Sequence, residues 1–194
     1  MSDNGSDAPR WARFVRPERY EGEPPERTFD LLGIGGEEAV LDLGCGPGFF
    51  TLPLLSRLAQ NGKVYALDAC ADSIRALENR AGEDARLVTL CCEFPPAPIE
   101  QGALDLVWGA NVLHELGETA VALSEIYALL RPGGRIVMVD WYKVPTQRGP
   151  RFEDRIAAKD AAQALVKAGF ERVVCERYND WKYMVSGYRG TRLT

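Results

Sequence analysis

The stretch Val40-Leu41-Asp42-Leu43-Gly44-Cys45-Gly46-Pro47-Gly48 constrains the fold more than any other segment of the chain. Ala39–Leu43 is a short apolar run that ends in glycines, the pattern of a strand buried on both faces. Phe49 to Gln60 reads as a helix, with Pro53 near its first turn, where the ring costs least. A strand that feeds a helix through spaced glycines opens a crevice at the carboxyl edge of a parallel sheet. Glycine lets the backbone turn tightly and approach a ligand without a Cβ clash. Free N–H groups at the helix start can then meet a carboxylate or polar edge. Asp42 is a carboxylate inside an apolar strand, so it needs partners, either loop N–H groups or a ligand ammonium.

The same alternation continues downstream. Gly62–Leu67 reads as a second strand, and Asp72 or Ser73 caps a helix that uses Ile74 and Leu77. Arg86–Cys91 and Leu104–Gly109 are the third and fourth strands. Glu118–Leu130 carries Leu123, Ile126, Tyr127 and Leu130 on one helical stripe, and Pro132-Gly133-Gly134 is expected to stop it sharply. Arg135–Asp140 is the fifth strand and Glu153–Ala168 a further helix ended by Gly169. Phe170–Arg177 and Trp181–Tyr188, separated by a short polar turn, must pair antiparallel. Regular βα alternation implies a parallel sheet with helices on both faces, closed by that hairpin. At 194 residues the whole fits one domain. Residues 1–8 read as a disordered tail and 9–38 as a helical cap, with Pro24-Pro25 suiting a helix start and Gly33 its end. The main domain runs from 39 to 194.

Asp68 closes the second strand twenty residues beyond Gly48. A carboxylate there can accept hydrogen bonds from two adjacent ribose hydroxyls. Glycine turn plus acid at this spacing specifies a nucleoside-containing cofactor. The dinucleotide fingerprint G-x-G-x-x-G/A needs a small sixth residue, and Phe49 occupies that place here. That departure disfavours a nicotinamide oxidoreductase.

Val40–Gly48 resembles motif I of the class I S-adenosylmethionine-dependent methyltransferases, and Val64–Asp68 resembles their second motif. Leu104-Asp105-Leu106-Val107, Leu113-His114-Glu115-Leu116, Glu125 to Arg135 and Ala168-Gly169-Phe170 fit in the same order. Together they resemble the ubiquinone/menaquinone-biosynthesis-like branch over roughly residues 20–190. The resemblance implies a Rossmann-like seven-stranded sheet of order 3-2-1-4-5-7-6, with strand 7 antiparallel and helices on both faces. It implies S-adenosyl-L-methionine as cofactor, held by Asp42, Gly44, Cys45, Gly46 and Gly48, with Asp68 on the ribose and Ala69 near the adenine. Counting back from Asp105 places Glu93 and Phe94 at the adenine edge, where the family usually has Asp and a small residue. Ala110 and Asn111 occupy positions that line the methionine end in relatives. A catalytic module that transfers methyl and a non-catalytic cofactor-binding module are both compatible with that altered Glu93-Phe94 site.

A sulfonium methyl is already activated, so in-line positioning can supply about 7–11 kcal/mol of the barrier. A base is needed only for a protonated acceptor. His114, the sole histidine, is the candidate, against a packed structural role. Trp11, Phe14, Tyr20, Trp141 and Tyr142 are candidates for an aromatic acceptor site. Composition sets the outer bounds. A formal net charge of −5, without any long Lys/Arg run, argues against nucleic acid, and with it the resemblance implies a small-molecule methyl acceptor. Arg10, Arg13, Arg16 and Arg19, at helical spacing, read as a solvated face. Five cysteines without CxxC spacing read as reduced thiols, with no metal expected and Cys91-Cys92 as core filler. No stretch reaches the ~18 apolar residues of a membrane span, and a polar start predicts a cytoplasmic location.

Overall fold

A computed structural model describes residues 10–191; the expected tail at 1–8 lies outside them. The strands are β1 (Ala39–Leu43), β2 (Lys63–Asp68), β3 (Leu87–Cys91), β4 (Leu104–Ala110), β5 (Leu130–Trp141), β6 (Glu171–Arg177) and β7 (Lys182–Tyr188). They form one sheet in the order β3-β2-β1-β4-β5-β7-β6. β1 pairs in parallel with β2 and β4, and β7 runs antiparallel to β5 and β6. This is the order the family resemblance implies.

Period-two alternation sorts the sheet into two buried faces. Leu41, Leu43, Val107, Ile136 and Met138 point to one face, where α5 (Thr119–Leu129) and α6 (Ala158–Lys167) cover them with Leu123, Ile126 and Leu165. Val40, Leu106, Trp108, Val137 and Val139 point to the other. There α2 (Pro25–Leu32) and α3 (Thr51–Arg57) supply Phe29, Leu54 and Leu55, and α4 (Ala71–Ala81) packs Ile74 and Leu77 beside them. Burial on both faces explains why the central strands read as continuous apolar runs.

Several expected boundaries move, each for a local reason. α5 ends at Leu129, before Pro132, because Leu130 is already extended and pairs with Leu104. Residues 131–134 then sit within β5, where a register shift opposite Asp105 absorbs them. The helix expected from Glu153 begins at Ala158. Upstream of it the buried Arg155 guanidinium donates to the carbonyls of Tyr142, Val144, Arg148 and Pro150, folding that loop around itself. α4 begins after Cys70, so Asp72 and Ser73 lie in its first turn, and the Cys70 N–H is taken by Asp68 instead. Cys91 is exposed at the end of the edge strand β3 and fills no core; Cys92 packs partly against it.

The cap consists of a 3-10 helix (Arg10–Val15), α1 (Pro17–Gly22) and α2, which Gly33 ends in the left-handed conformation at φ 60°. Pro17 restarts the chain after Arg16, so Arg13 and Arg19 lie on different helices rather than on one face. Among the described residues, no helix is long and apolar enough to cross a membrane.

Candidate functional site

A cavity of about 1150 Å³ opens where β1, β2, β4 and β5 end, roofed by the cap. That is about the upper end of the roughly 300–1,000 Å³ typical of small-molecule sites.

Its floor is the glycine turn. Gly44, Gly46 and Gly48 have φ of 69°, 53° and 88°, which L side chains rarely adopt. A Cβ on Gly44 would stand 2.7 Å from Val112 Cγ2, and one on Gly48 would stand 2.5 Å from Leu77 Cδ1. At Gly46 a Cβ would meet no protein atom within 4 Å, so its bare backbone leaves that space to the cavity. Asp68 clamps the turn to the start of α4. Its Oδ2 accepts the Gly46 N–H and its Oδ1 the Cys70 N–H, both at 2.8 Å. Each oxygen keeps a lone pair for a ligand hydroxyl.

Two further acceptors border the turn. Asp42 is buried and accepts the Thr51 hydroxyl at 2.6 Å. Burial pushes its carboxyl up to about 7, against the opposing Thr51 hydrogen bond and Arg19 charge. Asn111 holds φ 63° after β4, and its buried Oδ1 has no hydrogen-bond partner among the described residues. A carboxyl short of counter-charge and an orphaned amide oxygen suit a ligand that brings an ammonium. Burial raises the Cys45 thiol well above its ordinary value, which removes it as a nucleophile.

The cap supplies the opposite wall. Arg19 lies 4.0 Å over the Phe49 ring and donates to Glu23 Oε2 at 3.1 Å and to the Phe14 carbonyl at 2.8 Å. Burial lowers its guanidinium to about 10. Glu23 also pairs with Lys182 at the start of β7; their side chains are only 9% and 4% exposed. Lys182 Nζ stands 4.6 Å over the Trp141 ring, and the Arg155 guanidinium lies 5.6 Å from that ring. Burial, then the Arg19 charge, pushes the Lys182 ammonium down.

Between floor and wall stands His114. Its Nδ1 lies 2.8 and 3.0 Å from the two oxygens of Asp140, and its Nε2 3.7 Å from Glu115 Oε1. Asp140 also accepts the backbone N–H groups of His114 at 3.0 Å and Trp141 at 2.7 Å.

The cavity thus brings together Asp42, Gly44, Cys45, Gly46, Asp68, Ala110 and Asn111 with Trp11, Phe14, His114 and Trp141. Trp11 also borders Asp72 and Arg75 of α4, which puts it on the Asp68 side rather than the Lys182 side. Other candidates do not line the cavity. Gly48 is packed against Leu77, Ala69 and Glu93 are exposed, and Phe94 leans on the core. Tyr20 stacks on Phe49 at 4.4 Å. Tyr142, one residue past Trp141, turns to the opposite face against Tyr183 at 5.7 Å. Sequence reasoning passed over Glu23, Thr51, Asp140 and Lys182, and it read Arg19 as part of a solvated face, whereas the guanidinium packs over the Phe49 ring with its side chain only 20% exposed. Asp140 was findable, since it is a carboxylate closing an apolar strand just as Asp42 is.

A methyltransferase-domain family matches residues 40–134. The chain is 28% identical over 129 residues to a demethylmenaquinone methyltransferase of Lactococcus lactis, covering 66% of this chain and 50% of that protein. It is 28% identical over 173 residues to a malonyl-[acyl-carrier protein] O-methyltransferase of a Methylovorus species, covering 79% and 58%. The chain spans about half or less of the first curated relatives it matches. Among solved structures, an S-adenosylmethionine-dependent methyltransferase from Aquifex aeolicus superposes with a TM-score of 0.84 at 25% identity, over 92% of this chain and 96% of that one. The [4+2]-cyclase SpnF shares the fold at TM-score 0.70 and 18% identity, covering 86% and 82%.

Proposed function

The chain belongs to the class I S-adenosylmethionine-dependent methyltransferases, and from that premise we propose that it transfers a methyl group by in-line displacement to a small-molecule acceptor. The carrying observation is one cavity that joins a glycine-turn floor to a separate aromatic and basic wall.

When bound, S-adenosylmethionine supplies a methyl already activated on sulfonium. The protein's part is binding, orientation and exclusion of water. Asp68 presents two free lone pairs to the ribose hydroxyls, its own direction fixed by the Gly46 and Cys70 N–H groups. Asp42 and the Asn111 amide oxygen receive the ammonium, and Gly44 and Gly46 let the backbone approach. Glu93 and Phe94 lie away from the cavity lining, so Trp11, leaning on α4, replaces them as the cover of the adenosine end. Trp141 and the Arg19–Glu23–Lys182 row wall the acceptor end. The acidic net charge of −5 favours a small acceptor over nucleic acid.

Calorimetry with S-adenosylhomocysteine and NADH tests the cofactor, and label transfer from methyl-labelled cofactor to a metabolite panel tests the reaction. Asp68→Ala should weaken S-adenosylhomocysteine binding on the order of 100-fold, since two charge-assisted hydrogen bonds go. An unchanged Kd in a folded variant would take Asp68 out of the site. Cofactor binding without label transfer to any acceptor would favour the non-catalytic module.

A further inference from the structure

Resting on the reading of this cavity as a methyl-transfer site, we propose that His114, held by Asp140, accepts the proton of the methyl acceptor, so that the acceptor is a hydroxyl compound, an alcohol or phenol, that arrives protonated. The argument is geometric. The Asp140 carboxylate is 1% exposed, and its oxygens are fixed by the His114 and Trp141 backbone N–H groups. Both Asp140 oxygens already act as acceptors of backbone N–H groups, so the imidazole Nδ1 2.8 Å away carries the hydrogen between them. Nε2 then holds the lone pair. It makes no hydrogen bond among the described residues, and His114 lines the same cavity as Gly46, Asp68 and Trp141.

A base oriented by a buried carboxylate, in a residue that lines the cavity and whose Nε2 makes no hydrogen bond among the described residues, is the arrangement that activates a hydroxyl nucleophile. Packing alone would not call for it, because a backbone carbonyl could hold Nδ1 without burying a charge. Asp140 is a positioning residue here and acts only through the ring.

The proton balance is closed. The acceptor O–H proton passes to His114 Nε2, and the oxygen pair forms the new O–CH₃ bond. The S–CH₃ pair stays on sulfur, which leaves as a neutral thioether, and Nε2 later returns its proton to water. Burial pulls the imidazole down, yet the Asp140 hydrogen bond and the charges of Asp140, Glu115 and Asp154 together outweigh it, so His114 sits above its ordinary value. Glu115 on its own turn and Asp154 from the loop before α6 push the same way, while Arg13 of the cap faces Glu115. The acid limb of kcat/KM should therefore lie above pH 6.5.

Because the chain has a single histidine, imidazole ¹⁵N resonances of the full chain report His114 alone and need no known acceptor. The expected result is an Nδ1–H tautomer that titrates above the ordinary histidine value and shifts lower in Asp140→Asn. Diethylpyrocarbonate should modify Nε2, and saturating S-adenosylhomocysteine should slow it about tenfold by occupying the cavity. With methyl-labelled cofactor and a panel of alcohols and phenols, His114→Gln should lower transfer about 10²–10⁴-fold, and Asp140→Asn should move the acid limb to lower pH. An Nε2–H tautomer, or an Nε2 that stays unmodified in the wild-type protein, overturns the proposal. Failure of S-adenosylhomocysteine to bind would instead overturn the methyl-transfer reading beneath it.

Discussion

Asp42 is buried at the end of β1 with the Thr51 hydroxyl as its hydrogen-bond partner, and burial pushes its carboxyl up to about 7. An acid raised on folding keeps a proton that the unfolded chain has released, so this residue's contribution to stability falls as pH rises from about 4 to 7, then levels. A shift of about three units amounts to roughly 4 kcal/mol across that window. A ligand ammonium placed against Asp42 favours the ionised form. Binding of S-adenosylhomocysteine should therefore tighten between about pH 5 and 7, by up to about tenfold per unit. His114 loses its proton over a neighbouring range and would act in the same direction, so Asp42→Asn is the comparison that isolates the carboxyl. Calorimetry across the pH range should show that this variant loses most of the slope; an unchanged slope would remove the ammonium contact from Asp42. At this scale the sequence exposes a charge wherever it interrupts an apolar strand, as Asp42 does. It hides Arg19, because an arginine among charged neighbours carries no mark of the Phe49 ring that the fold puts beneath it.

The elements were legible where periodicity is long and misplaced where one side chain decides. Strand order and the two helical faces follow from βα alternation. The start of α6 does not, because the Arg155 guanidinium gathers carbonyls spread over 142–150 and no window of sequence shows that. The cap is a second such case. Glu23, between α1 and α2, meets Lys182 of β7, while Asn179 donates to the Gly22 carbonyl and Tyr178 meets Thr28. These contacts join segments about 150 residues apart. Glu23 accepts the Arg19 hydrogen bond and meets the Lys182 amine, so Glu23→Gln removes the carboxylate that holds both buried groups and should cost about 3–5 kcal/mol of cap attachment. The expected signature is faster proteolysis within residues 10–22, with the main unfolding transition moved less. Equal loss in both would mean that cap and sheet unfold as one unit.

For the whole molecule, the fold narrows the cofactor more than the reaction, since a cyclase and methyltransferases share this sheet. What separates the possibilities is what the cavity holds. The site spans the ends of four strands, the glycine turn and the cap, so a ligand filling it ties these parts of the chain together. A ligand that binds the native state alone, at about 100 times its Kd, adds roughly 2.7 kcal/mol. For a domain of this size each kcal/mol raises Tm by about 2–4 °C. S-adenosylhomocysteine should thus raise the melting temperature by roughly 5–10 °C, and NADH at the same concentration should leave it in place, because Phe49 fills the sixth position of the dinucleotide turn and packs against Phe50 and Tyr20. A melting temperature that rises with NADH and not with S-adenosylhomocysteine would reverse the cofactor assignment, and with it the roles given to Asp42, Asp68 and His114.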